Sequence, residues 1–154
     1  MLERAVQRIL VPIELADTDH SQVDYALRLA HQLHAELVLL AVIDSPAIVE
    51  LIGHHRAQAK RTDSFHMSLV DDAKGILQGI VDLAAKHGVK ALGHATVSEE
   101  VEAQILKEAV VQKVDLILVR SSGRSGFMKL LLGTRAGDIL KAAPCPVLVA
   151  HQHP

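Results

Sequence analysis

Four short, almost uninterrupted apolar runs constrain this chain more than any other feature: Ile9-Leu10-Val11-Pro12-Ile13, Leu37 to Ile43, Asp115 to Val119, and Val147 to Ala150. Each has strand length, and none alternates with polar residues, so both faces of each strand must be covered. Between the runs the period changes. Val23, Ala26, Leu27, Ala30 and Leu33 follow helical spacing over about 21–34, behind the capping cluster Asp17-Thr18-Asp19-His20-Ser21. Leu69, Ala73, Ile76, Leu77, Ile80, Leu83 and Ala84 form a second, longer stripe that closes on Lys86-His87-Gly88. Ser98-Glu99-Glu100 opens a third helix carrying Val101, Ile105 and Ala109, and a short fourth covers 134–143 before Pro144. A weaker strand is expected over 90–95, where Gly93 lowers strand propensity and Leu92 is the one large apolar residue. The stretch 47–63 has too little apolar spacing for a packed helix and reads as a mobile connection. The β-α alternation implies an α/β fold: an open five-stranded parallel sheet, doubly wound, with helices on both faces. No repeat, low-complexity tract or linker divides the chain, so 1–154 is expected to form a single domain.

Composition excludes several functions. With 16 Lys+Arg against 18 Asp+Glu, no basic excess suits a nucleic-acid backbone. Tyr25, Phe65 and Phe127 are the only aromatic residues, which leaves little to stack on unpaired bases. A lone Cys145, lying between two prolines, reads as a packed thiol and fits a reducing, cytoplasmic setting. No apolar run approaches the roughly 18 residues of a membrane span, so no membrane insertion is expected. The histidine pairs His31/His34, His54/His55 and His151/His153 match no compact ligand set, and no metal site is assigned.

Ligands of open parallel sheets bind beyond the carboxyl ends of the strands, where the strand order reverses. That rule selects Pro12 to Asp17, Val42 to Ser45, and Arg120 to Thr134. In the last segment Ser121, Gly123, Ser125 and Gly126 let a backbone approach an anion, Arg124 and Lys129 add cationic donors, and Gly133-Thr134 fall where free helix N–H groups point outward. Such a loop can hold phosphate, and the same residues also make ordinary strand-to-helix turns. Signatures of other phosphate sites and of the nucleophile elbow are missing from the sequence.

These residues resemble the universal stress protein family. The resemblance is carried by Ile9 to Ile13, Ala41-Val42-Ile43-Asp44, Leu116 to Val119, Leu131-Leu132-Gly133-Thr134 and Ala143-Pro144-Cys145-Pro146-Val147-Leu148-Val149. The family's nucleotide-binding branch has the loop pattern Gly-x2-Gly-x9-Gly-Ser/Thr; Gly123, Gly133 and Thr134 fit its last three positions, and Arg120 stands at the first. The resemblance implies strand order 3-2-1-4-5 in a Rossmann-like sheet of the adenine nucleotide alpha hydrolase type, with ATP, with or without Mg2+, over the carboxyl ends of the first and fourth strands. Pro12, Ile13, Glu14 and Val42 then lie at the nucleoside end, with Glu14 where the family has aspartate. A regulatory stress-response role in the cytoplasm follows, with little or no turnover and at most slow ATP hydrolysis. The resemblance also implies a homodimer joined through the C-terminal strand. Glu14 and Arg120 fall at adjacent strand ends and are expected to form an ion pair, which either fills part of the ribose subsite or leaves Arg120 to contact phosphate. In the first case the protein is a homodimeric interaction module that binds no nucleotide.

Overall fold

A computed structural model describes residues 2–15, 21–44, 59–120 and 142–150, the side chains of 59–66 excepted. The elements are β1 (Arg8–Pro12), α1 (Ser21–Leu33), β2 (Glu36–Asp44), α2 (Ala59–Lys86), β3 (Ala91–Ser98), α3 (Val101–Val111), β4 (Leu116–Arg120) and β5 (Val147–Ala150). The strands form one five-stranded sheet of order β3-β2-β1-β4-β5, all neighbours parallel. The expected helix at 134–143 lies almost wholly outside the described residues.

Burial on both sides explains why the strands read as continuous apolar runs. Ile9, Val11, Leu37, Leu39, Ala41, Leu116 and Leu118 face one core with Val23, Ala26, Leu27 and Ala30 of α1 and Ala73, Leu77 and Ala84 of α2. The intervening Leu10, Val38, Leu40, Ile117 and Val119 face a second core closed by Ile105 and Ala109 of α3. The two-residue alternation of a strand is therefore present, but both phases are apolar. Most of the α2 stripe packs as its spacing predicts, but Ile76 and Leu83 remain 45% and 43% exposed on its flank. The apolar face is narrower than the sequence pattern.

Three sequence expectations need correction. The strand expected at 90–95 runs from Ala91 to Ser98 and pairs with β2 in unbroken register from Leu37↔Ala91 to Asp44↔Ser98. Gly93 is there for packing: a Cβ at this position would stand 3.0 Å from the Cβ of Leu77, so its absence lets α2 lie close on β3. Leu92, the apolar residue that suggested the strand, is half exposed. Second, Ser98 ends β3 and does not cap α3. The N-cap is Glu100, without a side-chain cap, and the Ser98 hydroxyl bonds to the Glu100 N–H at 3.2 Å and its carbonyl at 3.1 Å. Third, α2 begins at Ala59, so 59–63 is helical and does not belong to the connection; 47–58 lies outside the described residues.

The three described helices end in the same way. His34, Gly88 and Lys113 have φ of 55°, 74° and 53°. The N–H groups of Ala35, Val89 and Val114 reach back to the carbonyls of Ala30, Ala84 and Ala109 at 2.9, 2.9 and 3.0 Å, closing a Schellman motif at each C-terminus. Gly88 suits that left-handed position, whereas His34 and Lys113 occupy it against their Cβ sterics.

The amino ends of the strands are tied by charge. The Asp115 carboxylate accepts the N–H groups of Gln7 and Arg8 at 2.8 and 3.0 Å. Arg8 donates to the Gln112 carbonyl at the end of α3 at 2.6 Å and to Glu36 at 3.1 Å, and Glu36 also meets Lys90 at 3.3 Å. Burial pushes the Glu36 carboxyl upward, but hydrogen bonds and charge from Lys90 and Arg8 outweigh it and hold the group below its ordinary range. Beside this network a groove of about 980 Å³ is lined by Arg4, Arg8, His34, Glu36, Lys113 and Asp115, among others.

Candidate functional site at the carboxyl ends of β1 and β4

The groove lies at the amino ends of the strands, and its Arg8, Glu36 and Asp115 are committed to the network that ties those strand ends together. The strand-order argument points to the other end. There β1 has β2 on one side and β4 on the other, and the chain leaves in opposite directions along the sheet, which is the position of a switch-point crevice.

Main-chain directions show why the β1–β4 ladder stops here. The Glu36 N–H bonds to the Gln7 carbonyl and the Ile13 N–H to the Leu40 carbonyl at 2.7 Å, so odd-numbered residues of β1 turn their peptide groups to β2. Arg8, Leu10 and Pro12 therefore face β4. On β4 the Ile117 N–H bonds to the Pro146 carbonyl on the β5 side, so Leu116, Leu118 and Arg120 face β1. The register Ile9↔Leu116 and Leu10↔Ile117, carried one step on, would have the Leu118 carbonyl accept from the N–H of residue 12. Proline has no N–H, and the β1–β4 ladder ends there although both strands continue.

Gln22, in the first turn of α1, spans the gap. Its side-chain amide nitrogen lies 3.3 Å from the Pro12 carbonyl and 3.2 Å from the Leu118 carbonyl. Two acceptors identify the amide nitrogen as the atom turned to the strands. Sequence reasoning missed this residue, since a glutamine at the start of a helix carries no signal; Pro12 in a central strand was the available one.

Pro12 closes β1, Ile13 follows it, and both are half-buried; Glu14 is exposed immediately beyond. Arg120 is the last residue of β4, half-buried, with its Nε buried. Continuing the register sets Arg120 opposite Ile13 and next to Glu14. Val42 is half-buried near the end of β2, paired with Thr96 of β3 and packed against the α3-side core. The structure thus brings Pro12, Ile13, Glu14 and Arg120 to one end of two neighbouring strands, with Val42 on the next. Ser121, Gly123, Arg124, Ser125, Gly126, Gly133 and Thr134 lie outside the described residues. Cys145 is half-buried against the α3-side core, and burial, with the Asp115 charge, pushes its thiol above the ordinary range. That is a packed thiol, as its two flanking prolines suggest. No described helix is long and apolar enough to cross a membrane.

The fold and sequence have counterparts among known proteins. Universal stress protein MJ0531 of Methanocaldococcus jannaschii is 28% identical over 148 residues, covering 96% of this chain and 83% of that protein. The structure of hypothetical protein MJ0577, from the same organism, aligns with a TM-score of 0.72 at 23% identity, covering 97% of this chain and 99% of that one. A universal stress protein solved in complex with cAMP aligns with a TM-score of 0.62 at 19% identity, covering 96% and 98%. The model of the universal stress protein family matches residues 5–151, and with the five-stranded sheet of order 3-2-1-4-5 this places the chain in that family.

Proposed function

We propose that this protein binds an adenine nucleotide, ATP with or without Mg2+, at the carboxyl ends of β1 and β4, as a regulatory signal with little or no turnover. The single observation that carries the reading is the break in the β1–β4 ladder after Leu10↔Ile117. The break lies at the switch point, beside Pro12, Ile13, Glu14 and Arg120. A family relative solved with cAMP supports an adenine nucleotide as the ligand class. Glu14 and Asp44 are the described carboxylates at this rim, and slow, incidental hydrolysis is the most they are expected to support. Ser121, Gly123, Arg124, Ser125, Gly126, Gly133 and Thr134 complete the site as its phosphate loop, Val42 flanks the nucleoside, and the setting is the cytoplasm. The test is to denature the purified protein, identify any released nucleotide, and titrate the stripped protein calorimetrically with ATP and magnesium. Recovered nucleotide or saturable binding supports the reading, whereas no nucleotide and no heat at millimolar ATP refutes it.

A second reading rests on β5. Among the described residues it is an edge strand, apolar, half-buried, and paired through four residues with β4 alone. Such an edge can pair with a second copy of the chain across a two-fold axis. If Glu14 and Arg120 occlude the ribose subsite, this homodimer is the functional unit. Glu14→Asp with Arg120→Gly then raises nucleotide affinity, and mass in solution reads the dimer directly.

A further inference from the structure

We infer that Gln22 is a positioning residue of the β1–β4 crevice, replacing the proton donor that Pro12 lacks and thereby setting the gap between the two strand ends. The inference rests on the nucleotide reading for its functional consequence, but not for its geometry. In a continuous parallel ladder the Leu118 carbonyl would be met by a main-chain N–H from position 12, and the Pro12 carbonyl by the N–H of Arg120. Proline at position 12 removes the first of these, and the recorded ladder stops one step short of it. A carbonyl left without a donor at a half-buried strand end is costly, and a second carbonyl oxygen turned toward it from the neighbouring strand adds lone-pair repulsion.

The Gln22 amide meets both carbonyls at once, at 3.2 and 3.3 Å. Its two protons match the two acceptors, and the side chain comes from α1, which is anchored on the α1–α2 core by Val23, Ala26 and Leu27. The Gln22 amide thus stands in the ladder position that Pro12 leaves without a donor. The peptides that follow these carbonyls carry Ile13 and Glu14 on one side and Val119 and Arg120 on the other. Gln22 therefore orients Ile13 and Glu14 beyond β1 and Val119 and Arg120 at the end of β4.

The experiment is a double-mutant cycle between Gln22→Met, similar in shape without donors, and Pro12→Ala, which returns a main-chain N–H. Two readouts are taken at a temperature where all variants are folded: ATP·Mg affinity by calorimetry, and backbone amide exchange at Glu14 and Arg120 against Leu39 in the central sheet. Gln22→Met is expected to weaken ATP about fivefold or more and to speed exchange at Glu14 and Arg120 about tenfold, with Leu39 unchanged. In the Pro12→Ala background the same substitution should change both by less than about twofold. Unchanged exchange at Glu14 and Arg120 overturns the inference, as does an equal effect in both backgrounds. If wild-type protein binds no ATP, the nucleotide reading fails while the exchange cycle still decides the role of Gln22. Should Gln22→Met not fold, Gln22→Asn, one methylene too short to span both carbonyls, takes its place with the same expected directions.

Discussion

Replacing Gly93 by alanine tests the packing of α2 on β3 in a way that propensity alone would misjudge. Alanine is the better strand residue by roughly 0.5–1 kcal/mol, because glycine loses more backbone freedom on folding. Yet the new Cβ would stand 3.0 Å from the Cβ of Leu77, where carbon atoms prefer about 3.5–4.0 Å. Leu77 is 1% exposed and the contact is at its Cβ, so no rotamer change relieves it; the helix or the strand must shift. Overpacking of this kind costs about 1–3 kcal/mol, which leaves a net loss centred near 1 kcal/mol, within about 0–2.5, after the propensity gain. Urea unfolding should show a lower midpoint with an unchanged slope, and the melting temperature should fall by roughly 2–8 °C for a chain of this length. Leu77→Ala in the same background should leave the overlap in place, since it keeps the Cβ. Gly79→Ala, exposed on α2 with no atom within 4 Å of the added carbon, should instead gain about 0.5–1 kcal/mol. A Gly93→Ala protein as stable as wild type would refute the close-approach argument.

Three further outcomes are expected. His34→Gly and Lys113→Gly should each stabilise the fold by about 1 kcal/mol in thermal or urea unfolding, because both side chains are exposed at left-handed positions that glycine adopts freely. Glu36, its pKa lowered in the folded state, contributes stability that is present above its unfolded pKa and is lost as pH falls through the folded value. Glu36→Gln should therefore lower stability at neutral pH and flatten the acid limb of a stability-against-pH curve, and parallel acid limbs for the two proteins would contradict this. Cys145, its thiol raised by burial and by the Asp115 charge, should alkylate with iodoacetamide more slowly at neutral pH than a free cysteine. The rate should climb only above the ordinary thiol range, and Asp115→Asn should bring that climb to lower pH.

What could be read from the sequence followed from redundancy. Residues 9–13, 37–43, 115–119 and 147–150 announced strands because both sheet faces are covered, and the stripe Val23, Ala26, Leu27, Ala30 announced α1 because one face of that helix alone is buried. β3 was understated because it is an edge strand whose large side chain points outward and whose glycine serves a helix distant in sequence. Ser98 misled as a cap because its hydroxyl does bond to the peptide of Glu100, but from the end of the strand. At the candidate site, Pro12, Ile13, Glu14, Val42 and Arg120 could be named from their places at strand ends. Gln22 could not, because its role depends on two carbonyls, one of them 96 positions away along the chain.

The charged network at the amino ends of the strands bears on how this family member can change over time. Asp115, Arg8, Glu36 and Lys90 register four strands and a helix terminus against one another without using any residue at the opposite end. Substitutions beyond Pro12 or Arg120 therefore act on segments whose alignment is already decided some 15 Å away, a distance of about five strand residues. A fold anchored at one end in this manner can explore new ligand chemistries at the other without first losing its registration.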